Sequence, residues 1–243
     1  QLRSGRNEFD VTAAGTIKFY GDIDATGCDI YKIGDKFGAK FYLYGKVKAR
    51  NFISSTSDWG RGEVHFCNAD NELEIVAPGL SSTFYADASD CFPASVRTTF
   101  YYPSTGYTQG DGELVLNENL TIDRIFHTKN GVAVDATTGR LAKEIGNYSA
   151  APSSGRTLTM KATAGTYSRE RFKDNLSVDW APQGDYTLAL SNRLHTMNGT
   201  FTVSRGTVIA GEGTEFSRLK KLVIRAGARF VVDPGHDYTK IFT

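Results

Sequence analysis

The stretch "GTFTVSRGTVIAG" (199–211) is answered further on by "KLVIRAGARFVVD" (221–233). At an offset of 21, Phe201 falls on Leu222, Val203 on Ile224, Gly206 on Gly227, Thr207 on Ala228 and Ile209 on Phe230, with no gap. A second self-match stands near the N-terminus, where "IKFYGDIDA" (17–25) and "FYLYGKVKA" (41–49) align at an offset of 24. It lays Phe19 on Leu43, Tyr20 on Tyr44, Gly21 on Gly45, Ile23 on Val47 and Ala25 on Ala49. A looser third copy begins at "VHFCNADNELEI", with Val64 on Phe41 and Phe66 on Leu43, before its register slips.

Periods of 20 to 25 residues belong to coils of short strands separated by bends, because one rung cannot bury its own apolar face and stacked neighbours can. Leucine-rich repeats share the period but require regularly placed Leu and a fixed Asn or Cys, where this chain has Phe, Val, Ile and Tyr. The expected fold is therefore all-β: a right-handed, single-stranded parallel β-helix (β-solenoid) with loop excursions. It forms one domain over residues 1–243, read as a segment of a longer chain.

Composition agrees. Gly (25), Phe (15) and Tyr (12) suit pleated half-buried surfaces and tight corners. The segments "VRTTFYY", "GELVLNENLTI" and "RTLTMKAT" read as strands, and "TGYTQGDG", "KNGVAVDATTG" and "SAAPSSG" as turns or loops. Helix is expected to be minor: "SRERFKDNL" suits a couple of turns, and "TEFSRLKKL" carries a Thr-to-Arg span with no clean apolar stripe. A β-sandwich lectin would use the "NG" and "DG" dipeptides as hairpin turns, but repeats at 21 and 24 residues argue against it.

Lys and Arg number 28 against 27 Asp and Glu, a formal charge of +1 that gives no broad reason to expect nucleic acid or an anionic membrane as partner. No apolar run reaches the roughly 18 residues of a spanning helix. Walker, dinucleotide, G-x-S-x-G, H-E-x-x-H and EF-hand motifs are absent from the sequence, which disfavours nucleotide, flavin and common hydrolase chemistry. The three cysteines, Cys28, Cys67 and Cys91, leave at least one thiol outside any internal pair; Cys67 and Cys91 are about one coil apart, so they read either as a stacked or bonded pair or as inert buried thiols.

The cadence of "NGTFTVSRGTVIAG" and "IRAGARFVVD" resembles the autotransporter-associated β-strand repeats and related right-handed β-helices of secreted and surface bacterial proteins, over Arg193 to Asp233. The resemblance implies an extracellular or cell-surface location, often within a very long polypeptide. Its Gly, Thr and apolar positions are structural, and it carries over no catalytic residue.

Candidate chemistry has to come from the rungs themselves. "YGDIDA" and "YGKVKA" set Asp22 over Lys46 and Asp24 over Lys48, on outward positions alternating with Ile23 and Val47. Such a set reads as acid/base machinery or a Ca²⁺ site, or as a surface charge ladder worth ~0.2 to 1 kcal/mol per pair. The tyrosines Tyr42, Tyr44, Tyr101, Tyr102 and Tyr107 are candidate sugar-stacking residues. The loop carrying His127, Lys129, Asp135, Arg140 and Lys143 is a further candidate. His65, His127, His195 and His236 have no metal spacing and read as ordinary rung or surface residues; no resident metal or cofactor is expected otherwise. Four N-x-S/T sites stand at Asn119, Asn147, Asn175 and Asn198.

The expected role is a secreted or surface-displayed module, structural, adhesive or in contact with a polysaccharide or surface glycan. The competing expectation is a polysaccharide lyase or glycoside hydrolase on the same scaffold, using carboxylates on neighbouring rungs.

Overall fold

A computed structural model describes residues 6–10, 14–33, 38–54, 62–79, 82–100, 112–125, 146–151, 155–168, 170–191, 194–233 and 241–242. Its strands are arranged in four sheets of nine, six, five and four strands, and every strand pair among the described residues is parallel. Sequence-consecutive strands lie in different sheets, and each pairs with its counterpart one coil later. This is a parallel β-solenoid, with no helix among the described residues.

The reason lies in the two-residue alternation of each short strand. Lys40–Leu43, Glu113–Leu116, Thr187–Leu190 and Thr200–Val203 each bury every second residue. One apolar stripe follows the nine-stranded sheet from Phe41 to Val64, Phe84, Leu114, Tyr148 and Phe172, all buried. The opposite sheets supply Phe52, Leu158, Val178, Trp180 and Phe201 to the same core. Early coils alternate between the nine- and six-stranded sheets; the five-stranded sheet starts at Leu120–Ile122, the six-stranded one ends at Arg124–Ile125 and the four-stranded one starts at Thr166–Ser168, so later coils have three sides.

The N-terminal alignment matches the register: Phe19 pairs with Leu43, Ile23 with Val47 and Ala25 with Ala49. Phe41 pairs with Val64 and Leu43 with Phe66. At the C-terminal end Phe201 pairs with Leu222 and Val203 with Ile224. After the corner the sequence alignment fails by one residue, since Thr207 pairs with Arg229 and Val208 with Phe230. Gly206 and Gly227 both adopt positive φ (69° and 81°) at their corners. The second corner holds one residue more, Ala228, whose amide closes on the Arg225 carbonyl at 3.0 Å. A one-residue slip exchanges the two faces of a strand, so Val208 and Phe230 point inward and Ile209 and Val231 outward.

Both segments read for helix are strands. "SRERFKDNL" contributes Arg171–Asp174 and opens Leu176–Trp180, while "TEFSRLKKL" contributes Glu215–Phe216 and the start of Lys221–Ile224. Phe172, Leu176 and Phe216 are buried there. Neighbouring rungs supply hydrogen-bond partners that a lone propensity estimate does not include.

Candidate functional site

The first two described coils make a corner at Tyr20-Gly21-Asp22 and Tyr44-Gly45-Lys46. The backbones touch there: a Cβ on Gly45 would stand 2.1 Å from the Gly21 carbonyl oxygen. On one side of the corner the Tyr20 and Tyr44 rings stack at 5.0 Å and 6°, and they are 71% and 39% exposed. The row continues along the nine-stranded sheet. Tyr42 lies 6.3 Å from Tyr44 and stacks on His65 at 4.1 Å, and His65 stacks on Tyr85 at 4.2 Å.

On the other side stand the charged residues singled out from sequence. Asp22 Oδ1 accepts the Lys46 backbone N–H at 2.8 Å, which ties one coil to the next. Asp24 Oδ1 accepts the Thr26 hydroxyl (2.7 Å) and amide (3.1 Å), and these bonds hold its carboxyl below the usual range. Asp24 pairs in register with Lys48, but the lysine ammonium groups turn one coil further. Lys46 and Lys48 both grip Glu72, Lys48 at 3.0 Å, and hold its carboxyl low. Lys48 and Glu72 also line a shallow surface groove with Thr26, Arg50 and Glu74.

Between the tyrosines runs a polar chain that sequence reasoning missed. His65 Nδ1 lies 2.7 Å from Asp87 Oδ2 and Nε2 lies 3.1 Å from Glu63 Oε2, with Lys40 Nζ on Glu63 at 2.9 Å and Asn117 Nδ2 donating to Asp87 Oδ1 at 2.6 Å. His65 thus bridges two carboxylates on different coils through its two ring nitrogens. Burial opposes ionisation of Asp87, but hydrogen bonds from His65 and Asn117 outweigh it and set its pKa below the ordinary value. Glu63 follows the same logic, with Lys40 and His65 outweighing burial. The signal was within reach. Once Phe41 is laid on Val64, the next outward position sets Tyr42 on His65; Tyr85 needs a further offset of 20 (65 to 85) that the self-matches did not contain.

The lowered folded-state pKa values fix a pH dependence. Stabilisation from Asp87 and Glu63 is fully present above their unfolded values and drains away as pH falls through the folded ones. Thermal midpoints measured from pH 6 to pH 3 should therefore fall in the wild-type chain below about pH 4, and fall less steeply in Asp87→Asn. At neutral pH that variant should cost about 1.5–3 kcal/mol, the range for a hydrogen bond to a charged group. Equal slopes for the two chains would remove His65–Asp87 from the account.

The remaining candidates are quickly placed. His195 is buried between Phe172 and Phe216, and its Nδ1 accepts the Phe172 amide at 3.2 Å. Cys67 and Cys91 are not joined in a disulfide, and Cys28 and Cys91 are buried. Burial, with the Asp87 carboxylate beside it, pushes the Cys67 thiol up to about 11, so it stays protonated and weakly nucleophilic at neutral pH. Asn198 Nδ2 donates to Asn175 Oδ1 (2.8 Å), and Asn175 Nδ2 to the Ala151 carbonyl (3.3 Å), so both amides bridge coils. No group of three or more His, Cys, Asp or Glu side chains placed to hold a metal ion occurs among the described residues. Tyr101, Tyr102, Tyr107, His236 and the loop from His127 to Lys143 lie outside the described residues. No described helix is long and apolar enough to cross a membrane.

Compared with family models, with curated proteins and with solved structures, the chain has no significant match to any of them.

Proposed function

We propose that this solenoid is a secreted or surface-displayed module that contacts glycan through the corner carrying Tyr20 and Tyr44. The observation that carries the reading is the stacked, exposed ring pair at a corner whose other side carries Asp22 and Lys46, with Lys48 and Glu72 further along that side. An aromatic face packs against the C–H face of a sugar ring, and charged groups on the other side of the corner bind the hydroxyls of a glycan that crosses it. A regular stacked sheet extends that platform from one sugar to the next. The cadence from Arg193 to Asp233, similar to autotransporter-associated repeats, supports display within a larger surface polypeptide.

Contact without turnover is the version we favour. A hydrolase or lyase needs a carboxylate or base free to meet substrate. Glu63 and Asp87 are committed to His65 and to Lys40 or Asn117, and both nitrogens of His65 face carboxylates. Asp22 and Asp24 serve their own corners.

A glycan array paired with a polysaccharide-depolymerisation screen tests both halves. The wild-type chain should bind a subset of glycans and release no reducing ends. A Tyr20→Ala/Tyr44→Ala variant should bind roughly tenfold more weakly, each ring contact contributing about 0.5–1.5 kcal/mol. Undiminished binding by that variant sinks the corner, and reducing-sugar release by the wild type sinks the non-catalytic reading.

A further inference from the structure

The last described coil breaks the charge balance of the chain. Arg218, Lys220, Lys221, Arg225 and Arg229 fall within 16 residues (218–233) that contain a single carboxylate, Asp233. All five cations are exposed, and so is Arg205 at the preceding corner. Among the described residues none of these six takes part in an ion pair. On earlier coils many cations sit on carboxylates, as at Lys40–Glu63, Lys48–Glu72 and Lys173–Glu113, and those that do not, such as Lys18, Lys161 and Arg171, are scattered along the chain and do not fall within one coil.

The fold does not require these charges. The positions of Lys221 and Arg229 are held one coil earlier by Thr200 and Thr207, and the position of Arg225 by Ser204, whose amide makes the matching bond to the coil before. One further coil back, Thr187 lies under Thr207. Among the described coils, a row of neutral hydroxyl residues thus turns basic on the last one. Lys221 opens a four-residue strand and Arg225 follows its last residue, about 13 Å away at 3.3 Å per residue, and Arg229 opens the next strand. The cations therefore follow the coil around a corner as a line, the form that suits a linear polyanion.

We propose that the outward face of the last described coil is a binding site for a linear acidic polysaccharide, carboxylated or sulfated. Focused positive charge on an otherwise balanced chain attracts anions locally whatever the net charge. A nucleic acid is disfavoured because single strands call for exposed rings on which bases stack. Among the described residues of this coil the exposed ring is Phe242, and it is packed on Phe216 and Phe230 at 6.0 Å from each. The site is independent of the Tyr20 and Tyr44 corner.

Isothermal titration of the intact chain with polygalacturonate, dextran sulfate and neutral dextran tests the proposal. The first two arms separate carboxylate from sulfate chemistry. The wild type should bind at least one polyanion and not dextran, with affinity falling as salt rises. The triple variant Lys221→Thr/Arg225→Ser/Arg229→Thr installs the residues of the preceding coil and should bind about tenfold or more weakly. Tyr20→Ala/Tyr44→Ala should leave this binding unchanged, which separates failure here from failure of the tyrosine corner. The proposal is overturned by absence of polyanion binding, by equal affinity of the triple variant, or by tighter binding of duplex DNA or phosphatidylserine vesicles than of both polysaccharides.

Discussion

Truncation of Phe66 to alanine is expected to cost about 3–5 kcal/mol and to lower the thermal midpoint by roughly 6–20 °C for a chain of this size. Phe66 is fully buried, and its ring meets Phe52 at 5.1 Å, Phe84 at 5.7 Å and Phe92 at 4.8 Å, all edge-on. Those partners come from both walls of the solenoid and from neighbouring coils. Coils joined by continuous ladders at about 4.8 Å spacing cannot slide together to fill a lost ring, so the cavity persists and the upper part of the range applies. Leu222→Ala supplies the contrast. Leu222 pairs with buried Phe201 but remains only partly covered, because no described strand lies beyond it in its sheet. Its truncation should cost about 1 kcal/mol, since less area leaves water when it folds. Both changes are read by thermal denaturation followed by circular dichroism. Similar losses for the two would mean that stacking between coils does not set core depth, against the nearest-neighbour picture of solenoid stability.

Most of the winding was legible because burial imposes the same alternation on every coil. Phe19 over Leu43 and Phe201 over Leu222 are visible as letters because both members of each pair fill one core. Legibility failed where the corner, and not the strand, carries the information. Ala228 lengthens one corner by a single residue, which sequence similarity between "SRGT" and "RAGA" conceals, and the faces of the following strand exchange as a result. The helical expectations failed for a related reason: short charged segments become strands when an existing ladder offers hydrogen-bond partners. Side-chain partners were the least legible layer. Asp24 does pair in register with Lys48, yet Lys46 and Lys48 turn to Glu72 on the next coil, because a strand has a neighbour on each side and the register names both without saying which one a flexible stem faces. His65 acquires meaning only from Tyr42 and Tyr85 on either side of it and from Asp87 and Glu63 in its plane, four residues from four positions along the chain. The basic last coil was hidden by a balanced total, which reports the sum of the charges and not where they stand.

Gly21 and Gly45 are equivalent in sequence and in the coil, yet the same substitution should affect them very differently. Neither has positive φ, so backbone conformation does not demand glycine at either position. Space does at one of them. A Cβ on Gly45 would meet the Gly21 oxygen at 2.1 Å, the Gly21 carbonyl carbon at 2.4 Å and the Asp22 nitrogen at 2.8 Å, all backbone atoms that no rotamer change can move aside. A Cβ on Gly21 meets nothing within 4 Å. Gly45→Ala should therefore destabilise by about 3 kcal/mol or more, at or beyond the top of the range for overpacking. Gly21→Ala should fall within about 0.5 kcal/mol of wild type, helped by the lower entropy of its unfolded chain. The consequence reaches the proposed glycan corner. Relief of the clash at Gly45 has to part the two coils, which separates Tyr44 from Tyr20 and breaks the Asp22 bond to the Lys46 amide. Any Gly45→Ala protein that still folds should lose glycan binding along with midpoint, whereas Gly21→Ala should keep both. Equal tolerance of the two substitutions would mean that the coils do not touch at this corner, and the stacked tyrosine platform would lose its physical basis.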